Sequence, residues 1–280
     1  MVKGILYLVP TPIGNLGDMT YRGVETLKNV DIIAAEDTRT SLKLLNHYEI
    51  KNKLISYHKF NERKQTDILI SLLSEGKNVG IITDAGTPSI SDPASIIVKE
   101  AIAQNIQVCC LPGASAVITA LAASGLNTDP FIFVGFLPVK NKERNNLLIA
   151  LEKMPHTIVL YEASHRIIDT LGELAKVFGS RECVIARELS KLFETYLRGN
   201  LNDLAESPDF ETRGEFVILI EGKTEQPISD EELLKIIAAK AKRGITSKEL
   251  VTQVVETTGI NRNRIYKLAL SLKKDYADRG

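Results

Sequence analysis

Several things are missing from this sequence, and each absence removes a class of function. No apolar run is long enough for a membrane-crossing helix. Cysteine is sparse. Cys109, Cys110 and Cys183 form no C-x-x-C pair and are odd in number, so they read as small core residues and no metal site is expected. Net charge is absent as well, with Lys plus Arg and Asp plus Glu at 35 each. A nucleic-acid partner would therefore have to be met by charge concentrated locally. The N-terminal MVKGILYLVPTP runs straight into a strand with no signal-peptide cleavage pattern, from which a cytoplasmic protein is expected. The first loop, Pro10–Asp18, holds G-x-x-G but no G-x-G-x-x-G. Pro10 and Pro12 stand where a dinucleotide loop needs free amides, which disfavours a nicotinamide or flavin site. There is no internal repeat and no low-complexity tract.

What is present centres on residues 79–93, VGIITDAGTPSISDP. Val79, Gly80, Ile81 and Ile82 are a short apolar run of the kind that fills a buried parallel sheet. Gly86 and Pro88 then punctuate the backbone, and a helix can begin near Asp92 and Pro93, an N-cap followed by Pro in the first turn. Loops at the carboxyl ends of parallel strands are where open α/β sheets bind ligands. This one offers Asp84, backbone groups and the hydroxyls of Thr87, Ser89 and Ser91, and no cation. It suits an amine, a sulfonium or ribose hydroxyls better than a phosphate. Taken alone, it is equally a plain turn with Asp84 bonding its own backbone.

The first half alternates strand and helix. Strands are expected at Ile5–Val9, Asp31–Ala35, Lys53–Tyr57 and Ile106–Cys110 besides the central run, and helices at Thr20–Leu27, Thr40–Tyr48, Asp67–Ser74, Asp92–Gln104 and Ala116–Ala123. This is the signature of a parallel sheet with crossover helices. Glu36, Asp37 and Arg39 at the second strand end read as a base with its orienting partners or as a helix N-cap with an ion pair. His58 is an acid/base or a solvated loop residue. Gly113 lets the backbone approach a ligand closely, and Ser115 is an N-cap or a ligand donor.

The pattern restarts after Gly125. Strands are expected at Phe131–Val134, Thr157–Leu160, Cys183–Ala186, Glu194–Gly199 and Gly214–Ile220, and helices at Lys140–Leu151, Ile167–Phe178 and Leu201–Ala205. Lys140, Lys142, Arg144 and Lys153 fall on a wet helix face. Glu221–Gln226 with Pro227 reads as a linker. Three helices follow, at about Asp230–Lys242, Ser247–Glu256 and Asn261–Lys274, with capping boxes at Ser229/Glu232 and Thr246/Glu249 and stops at Gly244 and Gly259. Residues 233–274 carry ten Lys or Arg against two Glu. A helix–turn–helix with Arg262, Arg264, Lys267, Lys273 and Lys274 favours RNA or DNA contact over a dimerisation arm. The expected organisation is an α/β domain over residues 1–125, a second over 126–226 and a helical appendage over 227–280.

Several stretches together resemble one family. In order they are LVPTPIGNLGDMTYR, AAEDTR, SYH with NER, TDAGTPSISDP, LPGASAV with ASGL, FVGFLP, LYEASHRI, ARELSK and GEFVILI. The chain resembles, over its whole length, the ribosomal RNA small subunit methyltransferase I family of the tetrapyrrole methylase superfamily. The resemblance implies two α/β domains with S-adenosylmethionine (AdoMet) in the cleft between them. It implies 2′-O-methylation of a cytidine in 16S rRNA, in the decoding region of the small ribosomal subunit, by a homodimer. Carried over residue by residue, the cofactor wall would be Pro10, Asp84, Gly86, Thr87, Ser115 and Ala116, completed by Tyr161, Ala186, Leu189 and Gly214. Three positions depart from the usual pattern: Lys59 and Phe60 follow His58 where an acidic residue and a second His are common, Ser164 replaces a frequent Pro, and Ala94 stands where Gly is usual.

Methyl transfer from a sulfonium to a hydroxyl depends on alignment, and a ribose hydroxyl needs a proton acceptor. The candidates are Glu162, Glu36 and Asp37, with Glu162 expected to accept the proton. Lys191 is expected to lower the hydroxyl's pKa, with Arg39 and Arg187 orienting or binding phosphate. Lys140, Lys142, Arg144 and the basic tail would bind RNA. The rivals are a superfamily methyltransferase acting on a tetrapyrrole or a protein side chain, and a non-catalytic RNA-binding or ribosome-assembly factor.

Overall fold

The computed structural model describes residues 2–206, 210–223, 229–241 and 245–277, the last five by backbone alone. The chain divides into two compact units, residues 1–223 and 224–280. The end of the linker with Pro227, the Gly244 stop, Lys242 at the expected end of the first tail helix, and the side chains of Lys273 and Lys274 lie outside the described residues.

The first unit holds two five-stranded sheets. The first is built from β1 (Ile5–Leu8), β2 (Ile32–Ala35), β3 (Leu54–Ser56), β4 (Val79–Ile82) and β5 (Gln107–Cys110), all parallel, in the order β3-β2-β4-β1-β5. Its inner strands β2 and β4 are buried at every residue, as a sheet covered on both faces requires. Helices α1 (Tyr21–Asn29) and α2 (Thr38–His47) cover one face, where Leu27 and Leu45 meet Val9, Ile33 and Ile82. Helices α3 (Glu62–Ser74) and α4 (Ser95–Ala103) cover the other, where Leu69, Leu73 and Ile97 meet Leu6, Ile32 and Ile81. Full burial of each such Leu or Ile contributes about 1.5–3 kcal/mol. From the neighbouring strands β1 and β4 the chain departs to opposite faces, so a crevice opens beyond their carboxyl ends.

The second sheet comprises β6 (Phe131–Phe136), β7 (Thr157–Ala163), β8 (Glu182–Arg187), β9 (Thr195–Asn200) and β10 (Glu215–Ile220), ordered β6-β7-β10-β8-β9. The renewed strand–helix pattern suggested another parallel sheet, but only β6 and β7 pair that way; the other pairings are antiparallel. The segment between β8 and β9 is too short for a crossover, and β10 inserts between β7 and β8. Helices α6 (Asn141–Glu152), α7 (Ile167–Phe178) and α8 (Leu201–Glu206) are built on one face, with Leu148, Leu171 and Leu201 packed on Leu160, Ile185 and Ile218. The other face is covered by α5 (Ala116–Ser124), which follows the first sheet in sequence. Its Val117, Ala120 and Leu121 bury against Val159, Val184, Val217 and Leu219.

The second unit is a three-helix cluster of α9 (Asp230–Lys240), α10 (Ser247–Thr258) and α11 (Arg262–Ala277). Its core is Leu233, Ile237, Leu250, Val251, Val254, Ile265 and Ala269. Both capping boxes form, and Gly259 ends α10 in the left-handed conformation.

Candidate active site

A cleft of about 390 Å³ lies where the crevice of the first sheet meets the edge of the second. The β1 and β4 loops form its floor as a single piece. The Thr11 amide donates to Gly86 O at 2.9 Å, the Gly86 amide returns a bond to Thr11 O at 2.9 Å, and Thr11 Oγ1 donates to Thr83 O at 2.9 Å. Gly86 sits at φ +83°, which a side chain bearing Cβ adopts only with strain. Thr87 Oγ1 donates to Ala114 O at 3.1 Å and so ties in the β5 loop. Ser115 occupies the N-cap position of α5, but its hydroxyl makes no capping bond, and it lines the cleft beside Ala116. From the second sheet come Phe136, Tyr161 and Val217, with Leu189 from the loop after β8. The rings of Phe136 and Tyr161 lie 5.6 Å apart.

The cofactor residues named from the family pattern divide into two sets. Asp84, Gly86, Thr87, Ser115, Ala116, Tyr161 and Leu189 line the cleft; Pro10, Ala186 and Gly214 do not. Pro10 is buried behind the floor, and Gly113 passes so close that a Cβ there would meet the Pro10 ring at 2.5 Å. The close approach expected of Gly113 is therefore made to Pro10. Ala186 is buried in the sheet core under α5, and Gly214 lies against Glu188.

Acidic groups dominate the polar side of the cleft, and no Lys, Arg or His is among the described residues lining it. Glu36 Oε2 accepts from Thr83 Oγ1 at 2.9 Å, and Asp84 Oδ1 accepts from the Asp37 amide at 3.2 Å. Burial raises the Asp84 carboxyl above the usual range against that amide bond, with Glu36 and Asp37 adding to the rise. Asp92 was read as a helix cap, and the structure corrects this. Helix α4 begins at Ser95, Ala94 is its N-cap at φ +133° with no side-chain cap, and Asp92 lines the cleft. Burial, then the charge of Glu36, pushes its carboxyl up to about 6 despite a bond from Thr83. Nothing in the local sequence separates Asp92 from an ordinary cap; only the positive φ at Ser89, Ser91 and Ala94 turns this loop inward.

The other candidates put their side chains to different uses, although Glu162 also lines the cleft. Strand β7 runs on through Ala163, so Tyr161 and Glu162 are strand residues and not loop residues. The Glu162 side chain is 0% exposed; its oxygens accept from Thr170 Oγ1 at 2.6 Å and the Ala163 amide at 2.8 Å, and Arg166 pairs with it at 3.5 Å. Its carboxylate anchors α7 to β7. Asp37 caps α2 through the Arg39 amide at 2.8 Å and pairs with the Arg39 side chain, which holds its carboxyl down at about 2. Lys191 is held by Glu188 at 2.9 Å and Glu215 at 3.0 Å at the cleft edge. Partial burial opposes its charge, yet the two carboxylates raise its pKa overall. His58 accepts from the Phe60 amide within its own turn.

Among the expected RNA contacts, Arg39, Lys140 and Lys142 are exposed. Arg144 is not on the wet face: its side chain is 16% exposed, turned onto α7 and paired with Glu173 at 2.7 Å. Arg187 donates to Arg213 O at 2.7 Å. In the second unit Arg262 and Lys267 are exposed, and Arg264 pairs with Asp230 at 2.6 Å.

A doubly wound sheet joined to a mixed sheet, with an acidic cleft at the switch point, defines a tetrapyrrole methylase fold. Residues 5–205 match the family of tetrapyrrole (corrin/porphyrin) methylases. Among solved structures, the chain is similar to a diphthine synthase (TM-score 0.64, 14% identity, covering 78% of this chain and 90% of that one). It is also similar to uroporphyrin-III C-methyl transferase from Thermus thermophilus complexed with S-adenyl homocysteine (TM-score 0.56, 18% identity, 78% and 97% covered). In sequence it is 45% identical to ribosomal RNA small subunit methyltransferase I of Synechocystis sp., over 97% of this chain and 99% of that protein. The chain belongs to the ribosomal RNA small subunit methyltransferase I family.

Proposed function

We propose that this protein is an AdoMet-dependent methyltransferase that modifies 16S rRNA at the 2′-hydroxyl of a cytidine ribose in the decoding region of the small subunit. The observation that carries the reading is the chemistry of the cleft. Its wall offers Glu36, Asp84 and Asp92 without a single cation among the described lining residues, beside an aromatic and aliphatic face. Such a wall suits a ligand with sulfonium and ammonium charges and an adenine ring, and it repels phosphate. The near-full-length relative named for ribosomal RNA supports the choice of acceptor.

Asp84 with the backbone of Gly86 and Thr87 would hold the polar groups of AdoMet. Ser115, Tyr161 and Leu189 would enclose the remainder. When bound, AdoMet supplies a methyl group on a sulfonium as the electrophile. The chain's own residues align the acceptor hydroxyl, exclude water and take up its proton. Lys191, held at the rim by Glu188 and Glu215, orients the incoming ribose. Exposed Arg39, Lys140 and Lys142, with Arg262 and Lys267 of the helical unit, meet the RNA backbone, so RNA affinity falls steeply with salt. The protein works in the cytoplasm as a homodimer.

The test is tritium transfer from labelled AdoMet to small ribosomal subunits lacking the modification, followed by identification of the labelled nucleotide. Label on a cytidine ribose is expected. Label on protein or on a base, or no label although AdoMet binds, overturns the reading.

A further inference from the structure

A 2′-hydroxyl needs a proton acceptor, and the inference drawn here rests on the methyl-transfer reading above. The carboxylates near the cleft are not equivalent. Glu162 is fully enclosed and engaged by Thr170, Ala163 and Arg166. Asp37 is spent on capping α2 and pairing with Arg39. Asp84 takes the Asp37 amide, and the Thr83 hydroxyl donates to Glu36 at 2.9 Å while also acting on Asp92. Asp92 is half-buried, lines the cleft at the end of the β4 loop, and its charge acts on Tyr161 of the second sheet, which lines the same cleft. Its place is held from behind. The Ala94 amide donates to Glu62 Oε1 at 3.0 Å, the Tyr57 hydroxyl reaches the same oxygen at 3.3 Å, and the Ser89 amide closes the loop onto Pro93 O at 3.2 Å.

We propose that Asp92 is the general base that takes the proton from the attacking hydroxyl. The O–H bond of the acceptor breaks, and its proton passes to the Asp92 carboxylate. The oxygen forms its new bond to the methyl carbon as the carbon–sulfur bond breaks, and that electron pair remains on sulfur. Carboxylate and sulfonium charges are both neutralised, so the step balances without a further reactant. The ionisable groups lining the cleft with Asp92 are Glu36 and Asp84 from the first sheet and Tyr161, Glu162 and Glu215 from the second, with no cation among the described lining residues. A carboxylate opposed by burial and by like charges binds a proton more tightly than an exposed Asp yet remains mostly ionised at neutral pH, the compromise a base requires.

The experiment measures single-turnover transfer to unmodified small subunits from about pH 5 to about pH 8 for the wild type, Asp92→Asn and Asp92→Glu. AdoMet affinity is measured by calorimetry, and the aspartate carboxyls are followed by ¹³C NMR. The wild-type rate is expected to rise through about pH 6 to a plateau. Asp92→Asn lowers that plateau by roughly 10²–10⁴-fold and removes the rising limb. At saturating AdoMet the lost rate exceeds any loss of AdoMet affinity, one carboxyl resonance titrating near 6 disappears, and Asp92→Glu recovers part of the rate. An Asn variant that transfers within about threefold of wild type overturns the assignment. So does a loss of AdoMet affinity that accounts for the lost rate, which would make Asp92 a binding residue only. If Asp92→Asn does not fold, a flat wild-type profile across this pH range overturns it as well. Wild-type protein that labels nothing overturns the methyl-transfer reading, and the assignment with it; label from the wild type with normal transfer by Asp92→Asn overturns the assignment alone.

Discussion

The two sheets of the first unit differ in how they deliver side chains to the cleft. The first is wholly parallel, and everything it contributes sits on loops beyond its strands: Asp84, Gly86, Thr87, Asp92 and Ser115. The second is mostly antiparallel and contributes largely from the strands themselves, with Phe136 on β6, Tyr161 on β7 and Val217 on β10. Loops can bend polar groups toward a ligand at the cost of backbone strain, whereas strands fix a rigid apolar wall through their ladder. Apart from Glu162 and Glu215 on the strands, the polar groups of the cleft therefore belong to the strained side and shape to the regular side.

The sharpest way to break this contrast is Gly86→Val. A β-branched residue at φ +83° strains the floor and its bridge to Thr11. AdoMet affinity should fall roughly 10–100-fold, corresponding to about 1–3 kcal/mol of strain, as calorimetry would read. Glu162→Gln strikes the regular side. It weakens a buried network and should cost about 1–3 kcal/mol, seen as a fall in Tm, with AdoMet affinity retained. Equal losses of affinity in both variants would end the division of labour.

The acid side also makes stability depend on pH. The Asp92 carboxyl lies near 6 in the fold against an ordinary 3.8, so its folded pKa is raised. Its favourable contribution is complete below about pH 4 and is lost as pH rises through about 6. Asp92→Asn should therefore show a higher denaturant midpoint than wild type at pH 8, and the difference should vanish near pH 4. The smallest effect is expected of Ala94→Gly. Ala94 is buried at φ +133°, where glycine carries no Cβ penalty, and the substitution should stabilise by about 1 kcal/mol in thermal melts.

Legibility followed local sufficiency. Val79–Ile82 is apolar throughout and bounded by Gly76 and Asp84, and its strand was read to the residue. Helix α7 was likewise read to both ends, because its apolar spacing and Gly179 act within one window. The strand expected to end at Leu160 runs on to Ala163; Glu162 is tolerated in this buried strand through Thr170 of α7 and Arg166 at its N-cap. The first turn of α3, from Glu62, was missed because it is polar and held by contacts to Tyr57 and Ala94. In the site, Asp84, Gly86 and Thr87 declare themselves by standing at the end of a buried strand. Asp92 does not, since Ser-Asp-Pro is also what a helix start looks like and only the backbone turns at Ser91 and Ala94 decide between the two.

The placement of α5 and β10 bears on how the chain can be made. Translation releases the first five strands early, but the helix that follows them has no surface to bury against until the second sheet exists. That sheet in turn lacks its central strand until residues 215–220 emerge, last of the unit. Val117, Ala120 and Leu121 must therefore wait uncovered while about a hundred further residues are synthesised. A fragment ending after α5 would carry that apolar face into solution, so the natural cut between the two sheets in sequence is a poor place to divide the protein at the bench.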